Sequence, residues 1–247
     1  MSLIYGINPV YEAISSGKTI NKIYVQKSNK ELNKIIQKAK EKKIVIVEAD
    51  KLKLDKMITE KNEKVKNSQG VVASVTEYKY YTIDDILDYA KEKNESPYII
   101  ILDKIEDPHN LGAIVRSAEC LGAHGIIIQK RNASQVTDTV EKTAAGACNY
   151  MRIARVTNIT ESIRYLKKKG LWIYGLDMEG AQDIYKTEFS GAIGLVIGNE
   201  GTGISKLVLE NCDFIVKIPM TGHLESLNAS VSAAISMYEI MRQKNNK

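Results

Sequence analysis

The chain has 247 residues, is 44% hydrophobic and 26% charged, and carries a formal net charge of +5. Such a composition supplies a real hydrophobic core, which excludes a disordered or fibrous protein, and no apolar run approaches the roughly 18 residues of a membrane span. The cysteines Cys120, Cys148 and Cys212 and the histidines His109, His124 and His223 are widely separated, so neither a disulfide framework nor a metal site is expected.

The first residues, MSLIYGINPV, lack a basic stretch followed by an apolar one, so no signal peptide is expected and the cytoplasm is the default location. Charge is unevenly spread. Residues 1–70 hold 15 Lys, no Arg and 8 acidic residues, a balance of +7, whereas residues 71–247 hold 20 basic and 22 acidic residues, a balance of −2. A basic first part suits a polyanionic partner, although a lysine-rich solvated surface gives the same pattern.

In chain order, IYVQK (23–27) reads as a strand. NKELNKIIQKAKEKK (29–43) places Leu32, Ile35, Ile36 and Ala39 at helical spacing. IVIVE (44–48) is a second strand, 49–59 a short helix, 61–70 a polar loop and VVASV (71–75) a third strand. Residues 77–96 are polar and read as a linker with a connecting helix over 82–93, which separates a domain over 1–76 from one over 97–247. In the second domain, six strands are expected at 98–103, 125–129, 151–156, 171–177, 193–198 and 214–220. Most are continuous apolar runs, the pattern of a sheet covered on both faces. Helices over 110–122, 137–146, 158–169, 203–210 and 226–243 separate most of them and close the chain, which predicts a parallel α/β sheet.

Ligands of open α/β sheets bind at the loops leaving the carboxyl ends of the strands. Three such loops are rich in Gly, Asn, Glu and Ser: DKIEDPHNLG after 98–103, GNEGTGIS after 193–198 and MTGHLESLN after 214–220. The first loop lacks a dinucleotide fingerprint, and the late glycines are not followed by Gly-Lys-Ser/Thr, which excludes a Walker phosphate loop. Glu200 within the glycine turn suits ribose hydroxyls or a cationic ligand better than a phosphate. Asn110 is expected as a helix N-cap. Arg116 stands among small and apolar neighbours, a setting in which an arginine is usually paired or anion-bound, though it can also snorkel to the surface.

Three motifs, DPHNLGAIVRSAECLGA (107–123), LVIGNEGTGIS (195–205) and IPMTGHLESLNASVSAAISMYEIMRQ (218–243), resemble the SpoU (TrmH-type) RNA ribose 2′-O-methyltransferases of the SPOUT superfamily. Their order and spacing fit throughout residues 97–243. GINPVYEAI (6–14) and SQGVVASV (68–75) are similar to the substrate-binding domain of the branch that methylates a guanosine of 23S ribosomal RNA. The resemblance implies an α/β fold: a small N-terminal α/β substrate-binding domain, then a parallel-sheet catalytic domain with a C-terminal trefoil knot.

It also implies S-adenosyl-L-methionine as methyl donor, ribosomal RNA as partner and a homodimer built on the catalytic domain. Gly198, Ile218 and Leu227 fall on cofactor-binding positions. Asn110, Arg116, Glu200, Ser226 and Asn228 fall on polar active-site positions, and no metal is required. Ala229 and Ser232 stand where the family pattern has Val and Ala, and both remain small. A transfer-RNA ribose methyltransferase and a non-catalytic RNA-binding protein of the same fold are the alternatives. The apolar final helix, with Ala233, Ala234, Ile235, Met237, Tyr238, Ile240 and Met241, is the expected dimer surface.

Overall fold

The computed structural model describes residues 2–15, 20–60, 67–75, 78–222 and 226–244, so His223 lies outside the described residues. The chain divides into two units, Met1–Lys79 and Tyr80–Lys247.

The first unit runs β1 (Ser2–Tyr5), α1 (Ile7–Ser15), β2 (Ile20–Gln26), α2 (Asn33–Glu41), β3 (Val45–Ala49), α3 (Lys51–Thr59) and β4 (Val71–Val75). Its sheet has the order β1-β4-β2-β3, with β2 and β3 parallel and β4 antiparallel to both of its neighbours. The pleat of β4 sends alternate side chains to opposite faces. Val71 and Ala73 join Val10, Ile14, Ile35 and Ala39 of α1 and α2, while Val72 joins Leu54 and Ile58 of α3. The strand is therefore apolar at almost every position. Asp55 of α3 holds the chain entering β4: its Oδ1 accepts from the Ser68 amide at 2.8 Å and the Ser68 hydroxyl at 2.6 Å.

The second unit contains α4 (Ile83–Glu92), β5 (Tyr98–Leu102), α5 (Pro108–Cys120), β6 (Gly125–Gln129), α6 (Asp138–Thr143), β7 (Arg152–Val156), α7 (Ile159–Lys168), β8 (Trp172–Leu176), β9 (Gln182–Asp183), β10 (Ile193–Ile197), α8 (Lys206–Leu209), β11 (Phe214–Lys217) and α9 (Ala229–Lys244). Its seven strands lie in the order β7-β6-β5-β10-β8-β11-β9, and every pairing is parallel. The six expected strands are all present. On one face, Ile86 of α4, Ile163 and Leu166 of α7 and Val208 of α8 share a core with Ile99, Ile101, Ile127 and Val196. On α5, Leu111, Ile114 and Val115 are fully buried, as are Ala233, Met237 and Ile240 of α9.

Two differences from the sequence reading have simple causes. The helix expected inside a linker is α4, and it belongs to the second unit. A Thr82–Asp85 capping box starts it, and the Tyr81 amide donates to Ile153 O of the edge strand β7 at 3.0 Å. Residues 2–15, given no element beforehand, form β1 and α1. Their apolar residues are spread over too short a stretch for either period to declare itself, and the strand is fixed by pairing with β4.

Candidate active site

All pairings in the second sheet being parallel, the loops after β5, β10, β8 and β11 open on one edge. The chain must return from β11, beyond β8, to place α9 beside α5. Three distant polar residues, Asn110, Glu200 and Asn228, come together where α9 begins beside α5.

Asn110 does not cap α5, as had been expected. Asp107 does, its carboxylate accepting from the His109 amide at 2.9 Å, with Pro108 opening the helix. Asn110 therefore sits inside the first turn, with its side chain buried. Its Nδ2 donates to Glu200 Oε1, and its Oδ1 accepts from Asn228 Nδ2 at 3.0 Å. Asn228 is the cap of α9: its Oδ1 accepts from the Ser230 amide at 2.9 Å and the Ser230 hydroxyl at 2.6 Å. Every polar atom of the two amides is thus committed, and the direction of the chain is fixed. Because Asn228 must accept from its helix, it must donate to Asn110, and Asn110 must donate to Glu200.

Glu200 rides on a turn built with similar economy. Asn199 and Gly203 exchange two backbone hydrogen bonds, at 3.1 and 2.9 Å. Asn199 Oδ1 accepts from the Gly201 amide at 2.9 Å, and its Nδ2 donates to Lys104 O at 2.9 Å. Gly198 has to be glycine for reasons of space: a Cβ there would lie 2.2 Å from Gly203 C and 2.3 Å from Ile204 N, both main-chain atoms. Below this turn, the fully buried Asp103 accepts from the Ser205 amide at 2.7 Å and from the Ser205 hydroxyl, fastening the β10 loop to the end of β5. Retaining residues 203–205 in this loop shortens α8 to 206–209, against the 203–210 read from the sequence.

The remaining expected residues are arranged less closely. Ile218 is half-buried just beyond β11, and Leu227 is exposed beside Asn228. Ser226 is exposed on the same loop, and Arg116 is exposed two turns along α5 from Asn110. Three contributors went unnoticed in the sequence: Asp103, Asn199 and Gly180. A Cβ at Gly180 would lie 2.6 Å from Val216 C, so the β8 loop passes directly over the backbone that leads to Ile218. The carboxyl-end rule that singled out three loops applies equally to LDMEGAQD, which follows β8.

Residues 97–238 match the SpoU rRNA Methylase family, and residues 3–81 match a domain described as RNA 2′-O ribose methyltransferase substrate binding. The chain belongs to the SpoU methylase family. It is an RNA methyltransferase, and the methyl donor of this family is S-adenosylmethionine. A Bacillus subtilis protein assigned to the TrmH family of tRNA/rRNA methyltransferases is 41% identical over 244 residues, covering 98% of this chain and 96% of the relative.

Among solved structures, the SpoU methyltransferase AviRb from Streptomyces viridochromogenes in complex with AdoMet is 24% identical, with 99% of this chain and 91% of that one covered at a TM-score of 0.64. An AdoMet-bound rRNA methyltransferase from Sinorhizobium meliloti is 23% identical, with 97% and 86% covered at a TM-score of 0.62. The TrmH/SpoU tRNA modifying enzyme of A. aeolicus is 24% identical, with 66% and 85% covered at a TM-score of 0.56. These structures share the fold. Gly198 leaves only main-chain atoms at its turn, and the described residues hold no clustered metal-ligand set, a chemistry compatible with a methyl-donor nucleoside.

Proposed function

We propose that this enzyme methylates the ribose 2′-OH of a guanosine in 23S ribosomal RNA. The observation that carries the ribosomal reading is the reach of the structural likeness. The rRNA methyltransferase fold matches across 97% of the chain, whereas the tRNA modifying enzyme matches 66%, too little to span both units. The lysine-rich balance of +7 over residues 1–70 suits an RNA partner of either kind. Residues 1–76 then hold RNA, and residues 97–247 carry the chemistry. No described helix is long and apolar enough to cross a membrane, and the enzyme is read as cytoplasmic.

S-adenosylmethionine brings an electrophilic methyl on a sulfonium, and in-line transfer needs a positioned hydroxyl that sheds its proton. Gly198, Ile218 and Leu227 are assigned to holding the donor. Asn110, Glu200 and Asn228 form the wall against which the ribose is oriented, with Ser226 at its exposed margin. Arg116 is assigned to the target nucleotide's phosphate or to charge developing on the attacking oxygen, because a guanidinium stays protonated and is a poor base but a strong anion partner. The close approach of Gly180 to the backbone of Val216 and Lys217 is consistent with the trefoil knot proposed for this fold. The exposed stripe of α9, Val231, Ile235 and Tyr238, is assigned to a second copy of the chain.

Labelled methyl transfer to unmodified 23S rRNA and to bulk tRNA, followed by mapping of the product, tests this reading. Transfer to one rRNA guanosine is expected. Transfer to tRNA alone overturns the ribosomal assignment, and transfer to neither leaves the non-catalytic RNA-binding reading. Arg116→Ala is expected to abolish transfer while changing S-adenosylmethionine affinity by less than about twofold.

A further inference from the structure

Beside the active-site loops, the sheet edge carries a basic rim built from elements that neither cofactor nor reacting ribose requires. Lys130 and Arg131 leave the carboxyl end of β6, Arg155 lies near the end of β7, and Lys104 follows β5; all four side chains are exposed.

Extensive local bonding fixes this rim. Gln135 Nε2 donates to the carbonyls of Gln129 at 2.8 Å and Ala133 at 3.0 Å, closing the 130–136 loop on itself. The Val136 amide donates to the Tyr80 hydroxyl at 2.9 Å, and the Arg155 guanidinium stacks 4.4 Å above the Tyr80 ring. One aromatic side chain thereby registers Arg155 against the loop. The Ser134 amide donates to Ile105 O at 2.7 Å, joining the loop to the segment that leads into Asp107 and Asn110. Lys104 has φ of 57°, a left-handed conformation that costs a lysine about 1–2 kcal/mol. Its amide donates to Gln129 Oε1 at 3.3 Å, and its carbonyl accepts from Asn199, which tie it to the loops on both sides. An exposed loop with no binding role has little need of such fastening.

Position supplies the ligand. β6 and β10 flank β5, so two inter-strand steps of about 4.8 Å separate the basic loop from the loop that bears Glu200. A polyanion whose ribose sits against Asn110 and Glu200 therefore passes over or beside this rim. We infer that Lys104, Lys130, Arg131 and Arg155 grip the RNA backbone of nucleotides flanking the one that is methylated. This rests on the methyl-transfer reading above and adds a second RNA contact, within the catalytic unit and separate from the lysines of the first unit.

The test uses the full-length protein, with Lys130→Gln and Arg131→Gln combined, and unmodified 23S rRNA as the probe. The KM for RNA is expected to rise about tenfold, and the slope of log affinity against log salt to become shallower by about 1.5, as two phosphate contacts are lost. S-adenosylmethionine affinity and thermal midpoint serve as folding controls and should hold. Arg131→Lys alone, which keeps both charges, should leave the salt slope close to that of the wild type. An unchanged KM and salt slope in a folded, cofactor-binding double variant overturns the rim. Failure of the wild type to methylate any RNA would instead overturn the functional reading, and the two results are read separately.

Discussion

Asn228 donates to Asn110 across 3.0 Å while capping α9 with its other side-chain atom, so one amide joins the final helix to α5. An aspartate at position 228 would keep the cap, since both residues accept from the first-turn amides. It would present only acceptors to Asn110, however. If the Asn110 amide flips to meet it, the Asn110 oxygen then faces the Glu200 carboxylate; one contact is repulsive either way. Asn228→Asp is therefore expected to hold the thermal midpoint within a few degrees and to lower methyl transfer at least tenfold. Asn228→Ala loses the cap as well and should cost about 2–3 kcal/mol in a denaturant titration. Equal activity in Asn228→Asp would show that the relay orients nothing in the reaction.

Gly198→Ala tests the turn that carries Glu200. The added methyl meets main-chain atoms of Gly203 and Ile204 at 2.2–2.3 Å, and no side chain can move aside to admit it. A loss of about 2–3 kcal/mol is expected, as for overpacking a rigid site, together with loss of S-adenosylmethionine binding by calorimetry. Wild-type affinity in this variant would mean that the turn relaxes at little cost.

Burial also leaves a pH signature at the opposite edge of the sheet. His124 is almost fully buried; its Nδ1 accepts from the Tyr98 amide at 3.0 Å, which leaves its proton on Nε2, 3.1 Å from Glu95 Oε2. Desolvation pulls its pKa below the ordinary 6.5, Glu95 opposes the shift, and Lys244 and Lys93 add to it. A base with a lowered folded pKa takes up a proton on unfolding. Its contribution is therefore complete above pH 6.5 and is lost as pH falls through that value toward the folded pKa. The second unit should lose stability as pH falls below about 6.5, and His124→Asn, which can still accept from Tyr98, should flatten that slope. An unaltered slope would assign the acid sensitivity to other groups.

The legible parts of this fold were those with a strong local signal. β5, β6 and β10 each carry at least three consecutive branched apolar residues, the pattern of a doubly covered strand. The glycine turn at 198–203 was legible as a turn, but not the reason Gly198 is obligatory, because the colliding atoms belong to a backbone that only the tertiary fold brings near. Asn110 illustrates the same limit: a cap preference is local, and Asp107, three residues earlier, satisfied it first. That freed Asn110 for partners 90 and 118 residues away. Asp103 was hidden by its place at the end of an apolar strand, where a carboxylate reads as the strand's terminator rather than as the anchor of Ser205.

The final helix separates buried residues from exposed apolar ones. Met237 was among the residues from which a dimer surface had been read, but it is fully buried and packs inside its own subunit. The large apolar residues left outside are Val231, Ile235 and Tyr238, spaced by four and three, so they form one stripe that starts three residues after Asn228. A copy of the chain seated on that stripe would sit beside the site, which explains how loss of the dimer would lower activity without touching a catalytic group. Ile235→Glu, at a position 40% exposed, should fold normally, run as a monomer in light scattering at micromolar concentration and lose most of its methyl transfer. Met237→Glu should instead fail to fold, since it buries an unpaired carboxylate at a cost of several kcal/mol. A wild type that is monomeric and fully active would end the dimer proposal, and an Ile235→Glu variant that remains dimeric would move the interface to another face.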